Sequence, residues 1–228
     1  MSTPSELKDP ALAGPKMNDV SDHVTDTEVA EPQDPEQLDA PEEGEPEEEL
    51  DPEVAARRVA ALAHVRKFGD PVLRTRARPV DRFDDALREE VQRMGMLMND
   101  AIGVGLAATQ VGVLHRLLVY RVHQQSPVSA LVNPEIEWSG SELETLEEGC
   151  LSLPNVHVDV ERPVHVRIRA LNEFGEPITI EASGLEARVI QHEVDHLDGV
   201  LILDHVSRHE RKEAMRAMRD AQAAASAV

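Results

Sequence analysis

Apolar residues recur every three or four positions across "VDRFDDALREEVQRMGMLMNDA", residues 80–101, where Phe83, Leu87, Val91, Met94 and Met98 share one helical face. The spacing predicts a helix over 80–101 whose methionine stripe is core packing rather than a cofactor box. A shorter helix is predicted over 52–64, with Asp51 as its N-cap and Pro52 in its first turn. "FGDPVLR" (68–74) reads as a turn. "RLLVYRV" (116–122) and "SALVNPEI" (129–136) read as strands, the second with Pro134 near its end. "VHVRIRAL" and "PITIEA", joined by "NEFGE", alternate with period two and predict an antiparallel hairpin over 164–182. Helical spacing returns in "GLEARVIQHEVDHL" (184–197). A short apolar segment, 199–206, leads to a C-terminal helix over 207–225 with Ser207 as candidate N-cap. Strands in the middle with helices on either side, and no internal repeat, point to an α+β fold rather than regular βαβ alternation.

Charge divides the chain further. The 228 residues carry 44 acidic and 23 basic side chains, a net charge of -21. Two thirds of that excess, -14, falls in residues 1–50, which also hold 7 of the 15 prolines and no aromatic residue. Such a segment buries too little apolar surface to offset its ordering entropy, so 1–50 is expected to be a disordered acidic arm. It reads as a solvated spacer, with an interaction tail as the alternative. Residues 51–206 are then expected to form the folded domain and 207–228 a basic helix. In that helix Arg208, Lys212, Arg216 and Arg219 lie along one face, with Arg211 nearby. A basic face can meet RNA phosphates, although Glu210 and Glu213 dilute it and a solvated surface helix is the alternative. No run of residues approaches a membrane span, and the N-terminus lacks the blocks of a signal or transit peptide. The expected setting is the cytoplasm, with neither membrane nor DNA as partner. The single cysteine, Cys150, excludes an intrachain disulfide and leaves three readings: a buried small hydrophobe, a nucleophile or a metal ligand.

Candidate chemistry is concentrated in "VIQHEVDHLDG", residues 189–199. His192 and His196 stand one turn apart, so both imidazoles share a helix face, and Glu193 follows the first. H-E-x-x-H supplies two metal ligands and a carboxylate that can take a proton from water. A third ligand is needed for a catalytic centre. One kind of zinc peptidase places a His where this chain has Ile202. Another takes a downstream carboxylate, for which only Glu210 and Glu213 offer themselves, within the basic helix. Cys150, in "EEGCLSLP" (147–154), remains as a thiolate donor for Zn²⁺ or Fe²⁺, which would leave a fourth position open for catalysis.

Three segments, "GVGLAATQ" (103–110), "EGCLS" (148–152) and "QHEVDH" (191–196), together resemble the bacterial peptide deformylase family in order and spacing. The resemblance spans roughly 65–206. It implies an α+β fold, with antiparallel sheets packed around a central metal-binding helix. It also implies one divalent metal ion, Fe²⁺ in cells and replaceable by Zn²⁺, Ni²⁺ or Co²⁺. The implied reaction removes the formyl group from N-formyl-methionine on newly made polypeptides, releasing formate. By the same resemblance Cys150, His192 and His196 are the metal ligands and Glu193 the general acid/base. Gln110 and the backbone N–H of Leu151 would meet the oxygen that gains charge. Gly103 and Gly105 would let the peptide substrate pair with the main chain. Val104, Leu151 and Val189 would line a pocket for the methionine side chain, or else are ordinary core. Glu148 and Arg162 are a candidate ion pair behind the Cys150 loop, and Asp195 is expected to be structural. Some bacterial members dock at the ribosomal exit through a C-terminal helix, which makes the ribosome a candidate partner of 207–228. The competing functions are a zinc peptidase of the H-E-x-x-H type and a metal-binding relative without activity.

Overall fold

The computed structural model describes residues 50–123 and 125–225. The acidic arm expected over 1–50 lies, but for Leu50, outside them. Helix α1 (Pro52–Leu62) begins as the sequence predicts: Asp51 Oδ1 accepts from the N–H of Glu53 at 2.8 Å, with Pro52 in the first turn. Helix α2 (Asp85–Asp100) starts later than predicted. Asp84 caps it, and Val80 is held outside by a reciprocal pair of hydrogen bonds with the Asn133 side chain, at 2.8 and 2.9 Å. Phe83 therefore precedes the helix, yet it still packs beside buried Leu87, Met94 and Met98. The C-terminus of α2 closes with a Schellman motif: the N–H of Gly103 reaches the carbonyl of Met98 at 2.9 Å and that of Ile102 the carbonyl of Asn99 at 3.0 Å. The left-handed position of that motif is held by Ile102, at φ 59°, rather than by glycine.

Seven strands follow among the described residues: β1 (Gly105–Ala107), β2 (Leu117–Tyr120), β3 (Ser129–Ser139), β4 (Leu143–Cys150), β5 (Leu153–Pro163), β6 (His165–Leu171) and β7 (Pro177–Ser183). Five form an antiparallel sheet in the order β1-β2-β3-β6-β7, and β4 pairs with β5 in a second, two-stranded sheet. The β6–β7 hairpin is the one predicted over 164–182. Strand β3 runs on through Pro134 to Ser139, because the register against β6 shifts between Val132 and Glu135, beside Asn133 at φ 54°. The β4–β5 pair is not among the predicted strands. In β4 only Glu148 is buried, so no apolar alternation marks it.

Helix α3 (Gly184–Leu197) is buried along most of its length. The strand period of two explains how one sheet serves two helices. In β2, Leu118 and Tyr120 join Ile190, Val194 and Leu197 of α3 in one core, while Leu117 and Val119 join Met94 and Met98 of α2 in another. A third core sets Val156, Val158 and Val160 of β5 against Leu201, Ile202 and Leu203, with Ala214 and Met218 of helix α4 (Arg208–Ala225). Ser207 caps α4 in a reciprocal pair: its Oγ accepts from the N–H of Glu210, and its N–H donates to the Glu210 carboxylate at 2.8 Å. Arg208, Lys212, Arg216 and Arg219 are exposed. No described helix is long and apolar enough to cross a membrane. The fold is the expected α+β class, with α3 at its centre.

Candidate metal centre

Helical geometry sets His192 and His196 on one face of α3, with ring centroids 5.0 Å apart. The third group comes from the second sheet. Strand β4 delivers Cys150 at its end, where the register against β5 shifts between Gly149 and Cys150. Cys150 Sγ lies 3.2 Å from His196 Nε2, and one donor atom from each of Cys150, His192 and His196 falls within 4.8 Å of the others. Tetrahedral bonds of about 2.0–2.3 Å set donors roughly 3.5 Å apart, so the cluster is of the size that one cation needs. Its chemistry also suits a cation. Burial alone would push the Cys150 thiol up, but the imidazoles of His196 and His192 beside it pull it well below its ordinary value, favouring thiolate. A thiolate with two imidazoles matches Zn²⁺ or Fe²⁺.

The orientation of His192 is fixed from behind. Its Nδ1 donates to Glu148 Oε2 at 3.0 Å, leaving Nε2 for the centre. Glu148 is buried in turn against two arginines. It accepts from Arg162 Nε at 2.6 Å and Nη2 at 3.0 Å, and from Arg188 Nη1 at 2.7 Å. Burial works against its charge, but the hydrogen bonds from His192 and Arg162 outweigh this and hold its carboxyl far below the usual carboxylate range. Arg162 continues to Asp195 Oδ2 at 2.9 Å, which also accepts from His205 at 2.7 Å. The expected Glu148–Arg162 pair is therefore present, and it braces His192 as well as the Cys150 strand. Arg188 was not singled out from the sequence. Its signal was the i,i+4 spacing ahead of His192.

Glu193 lies beside the cluster, 4% exposed, and its Oε2 has no hydrogen-bond partner among the described residues. Burial raises its carboxyl above the ordinary value. A Cβ at Gly105 would run into this carboxyl group, so the close approach of β1 requires glycine there. The Gln110 amide is fixed in orientation: its Oε1 accepts from the N–H of Ala107 at 2.8 Å, which turns Nε2 toward Ser152 Oγ (3.3 Å) and Cys150 Sγ (3.8 Å). Lys67, also not anticipated, donates to the carbonyl of Leu151 at 3.0 Å, and the N–H of Phe68 donates to that of Ser152 at 2.9 Å. Together they stitch the β4–β5 turn to the segment after α1.

Above these groups opens a cavity of about 610 Å³. Gly103, Val104 and Gly105 border it on one side, and Gln110, Cys150 and Leu151 on another; Val189, His192 and Glu193 complete the part nearest the cluster. His196 is buried beneath. All the candidate site residues are thus brought together. The peptidase alternatives find no third ligand downstream among the described residues. Ile202 is packed in the β5 core, Glu210 is spent on the Ser207 cap, and Glu213 lies 3.3 Å from His209.

Comparison with known proteins agrees with this geometry. A family model described as polypeptide deformylase matches residues 62–212. A peptide deformylase of Acidothermus cellulolyticus is 48% identical over 168 residues, covering 74% of this chain and 92% of that one. The solved peptide deformylase of Legionella pneumophila superposes with a TM-score of 0.68 at 38% identity, over 71% of this chain and 96% of that one. That of Synechococcus elongatus, in complex with actinonin, gives 0.65 at 46% identity, over 67% and 85%. Matched across 62–212 by the family model, and aligned over nearly the whole length of its relatives, this chain belongs to the peptide deformylase family.

Proposed function

We propose that this peptide deformylase removes the formyl group from the N-formyl-methionine of newly made polypeptides, with Cys150, His192 and His196 holding one divalent metal ion and Glu193 moving the proton. The observation that carries the reading is the convergence of those three donors beside a buried carboxylate whose Oε2 has no partner among the described residues. A divalent ion held there supplies Lewis acidity, which makes water a nucleophile near neutral pH. Glu193 would accept the proton of the attacking water at its unpartnered oxygen and deliver it to the departing amine. As the formyl carbon becomes tetrahedral, its oxygen gains charge, which Gln110 Nε2 and the N–H of Leu151 stabilise. Glu148 keeps His192 in one tautomer, backed by Arg162 and Arg188. The main chain of Gly103–Val104–Gly105 pairs with the peptide, while Val104, Leu151 and Val189 receive the methionine side chain.

Iron as Fe²⁺ is the proposed metal in cells, with Zn²⁺, Ni²⁺ or Co²⁺ as substitutes. A thiolate ligand makes the Fe²⁺ form oxygen-sensitive. The proposed setting is the cytoplasm. Residues 51–206 form the catalytic body, the acidic segment 1–50 a spacer, and the basic face of 207–228 a contact with ribosomal RNA. The deciding experiment is formate release from a formyl-methionyl peptide by anaerobically prepared, Fe²⁺-loaded protein. A folded, metal-replete sample that releases none would defeat the assignment.

A further inference from the structure

We propose that α1 adds a subsite to the catalytic cavity, one that takes a glutamate side chain of the substrate a short way past the formyl-methionine. This rests on the deformylase reading and concerns what lies beyond its first residue. The family match begins at residue 62, so almost all of α1 precedes it. Even so, Arg58 and Leu62, one turn apart on α1, border the same cavity as His192 and Glu193. The cavity thus extends from the metal cluster to a wall that catalysis of the formyl group does not use.

Apart from Glu193, which the proposed reaction uses, the other acidic and lysine side chains along that cavity have partners. Glu148 is held by Arg162 and Arg188, Glu147 lies 3.3 Å from His157, and Lys67 donates to the carbonyl of Leu151. The Arg58 side chain is exposed and makes no hydrogen bond or ion pair with a described residue. Apolar surface lies along the same cavity. Ile102 borders it, 51% exposed, with its backbone at φ 59°. At that position of a Schellman motif glycine avoids the clash of Cβ with the backbone, and a β-branched residue is the least comfortable choice. Isoleucine there presents a large apolar side chain to the cavity that no core contact calls for. Leu62 is half-buried on the wall contributed by α1. Together the three residues offer an apolar bed and a cation. A glutamate fits that pair: its methylenes lie on Ile102 and Leu62 while its carboxylate meets Arg58.

The test uses full-length, metal-loaded protein and amidated peptides of the form formyl-Met-Ala-Ala-Ala. Glu, Gln or Lys is placed in turn at the second, third and fourth positions. At one of them Glu should raise kcat/KM over Gln by about 2- to 5-fold, mainly through KM, as an exposed ion pair would. Lys should lie below Gln, and added salt should shrink the difference. Arg58→Ala should level the series and Arg58→Glu should invert it toward Lys. Wild-type turnover of the all-alanine peptide separates the two readings. No formate from it removes the deformylase assignment. Formate from it, with equal kcat/KM for Glu, Gln and Lys at every position, overturns the subsite alone. A preference for Glu that survives in Arg58→Glu overturns it too.

Discussion

Glu193 sits where a carboxylate is costly: 4% exposed, next to a thiolate, with one oxygen unmatched among the described residues. The proposed proton-transfer role would account for that position, and packing does not. Glu193→Gln keeps the shape and the neighbouring donors but cannot accept a proton. It should bind metal in wild-type amount and lose about 10²–10⁴ in kcat. Metal analysis and formate release on the same preparation check this, and retained turnover would end the general-base role. At this scale much was legible in the sequence. His192, Glu193 and His196 could be read together because helical spacing alone sets them on one face. Cys150 could be added only through the motif around it, since its partners are more than forty residues away. Lys67 and Arg188 act through contacts across the fold, and only Arg188 carries a local signal, its place one turn ahead of His192.

Strands and helices were readable where a period survived. Helix α3 and the β6–β7 hairpin have one apolar face each and emerged with nearly correct ends. Strand β4 has exposed positions on both faces and a single buried residue that is charged, so its sequence carries no strand period. Strand β5 does alternate, with Val156, Val158 and Val160 buried, but Arg162 continues the buried face and breaks the apolar signal. The segment between α3 and α4 is tied by Asp204, which accepts from Arg74, Arg211 and the N–H of Leu201. Burial opposes its charge, but the bonds from Arg74 and Leu201 outweigh it and hold the carboxyl below its usual value. A carboxyl depressed in the folded state contributes stability above its unfolded pKa and loses it as pH falls through the folded one. Asp204→Asn should therefore lower Tm at neutral pH, with the gap to wild type closing as the pH drops below the ordinary carboxylate range. Thermal melts across that range measure it. Helix α4 makes a separate test of the proposed ribosome contact. Replacing exposed Arg208, Lys212, Arg216 and Arg219 by glutamine spares Ala214 and Met218, which pack on β5. Co-sedimentation with ribosomes should fall and its salt dependence flatten; unchanged binding would dismiss the contact.

For the molecule as a whole, the centre joins parts that the chain keeps far apart. Cys150→Ala should abolish stoichiometric metal binding, and with it the stabilisation that added Zn²⁺ gives the wild type, about 2.7 kcal/mol at 100 times Kd and read as a rise in Tm. A variant still stabilised by the metal would place the third ligand elsewhere. The two histidines are aligned as soon as α3 forms, whereas the cysteine arrives only when the β4–β5 hairpin docks. An ion held by the proposed ligands would act as a removable crosslink over the 42 residues from Cys150 to His192. A permanent link across such a loop would be worth about 4 kcal/mol in chain entropy. On the proposed ligand set, metal capture would follow docking of the hairpin. Refolding with a chelator present should still dock the hairpin on its apolar core but leave its Cys150 end less protected, with amides around Gly149–Leu151 exchanging faster until metal is restored.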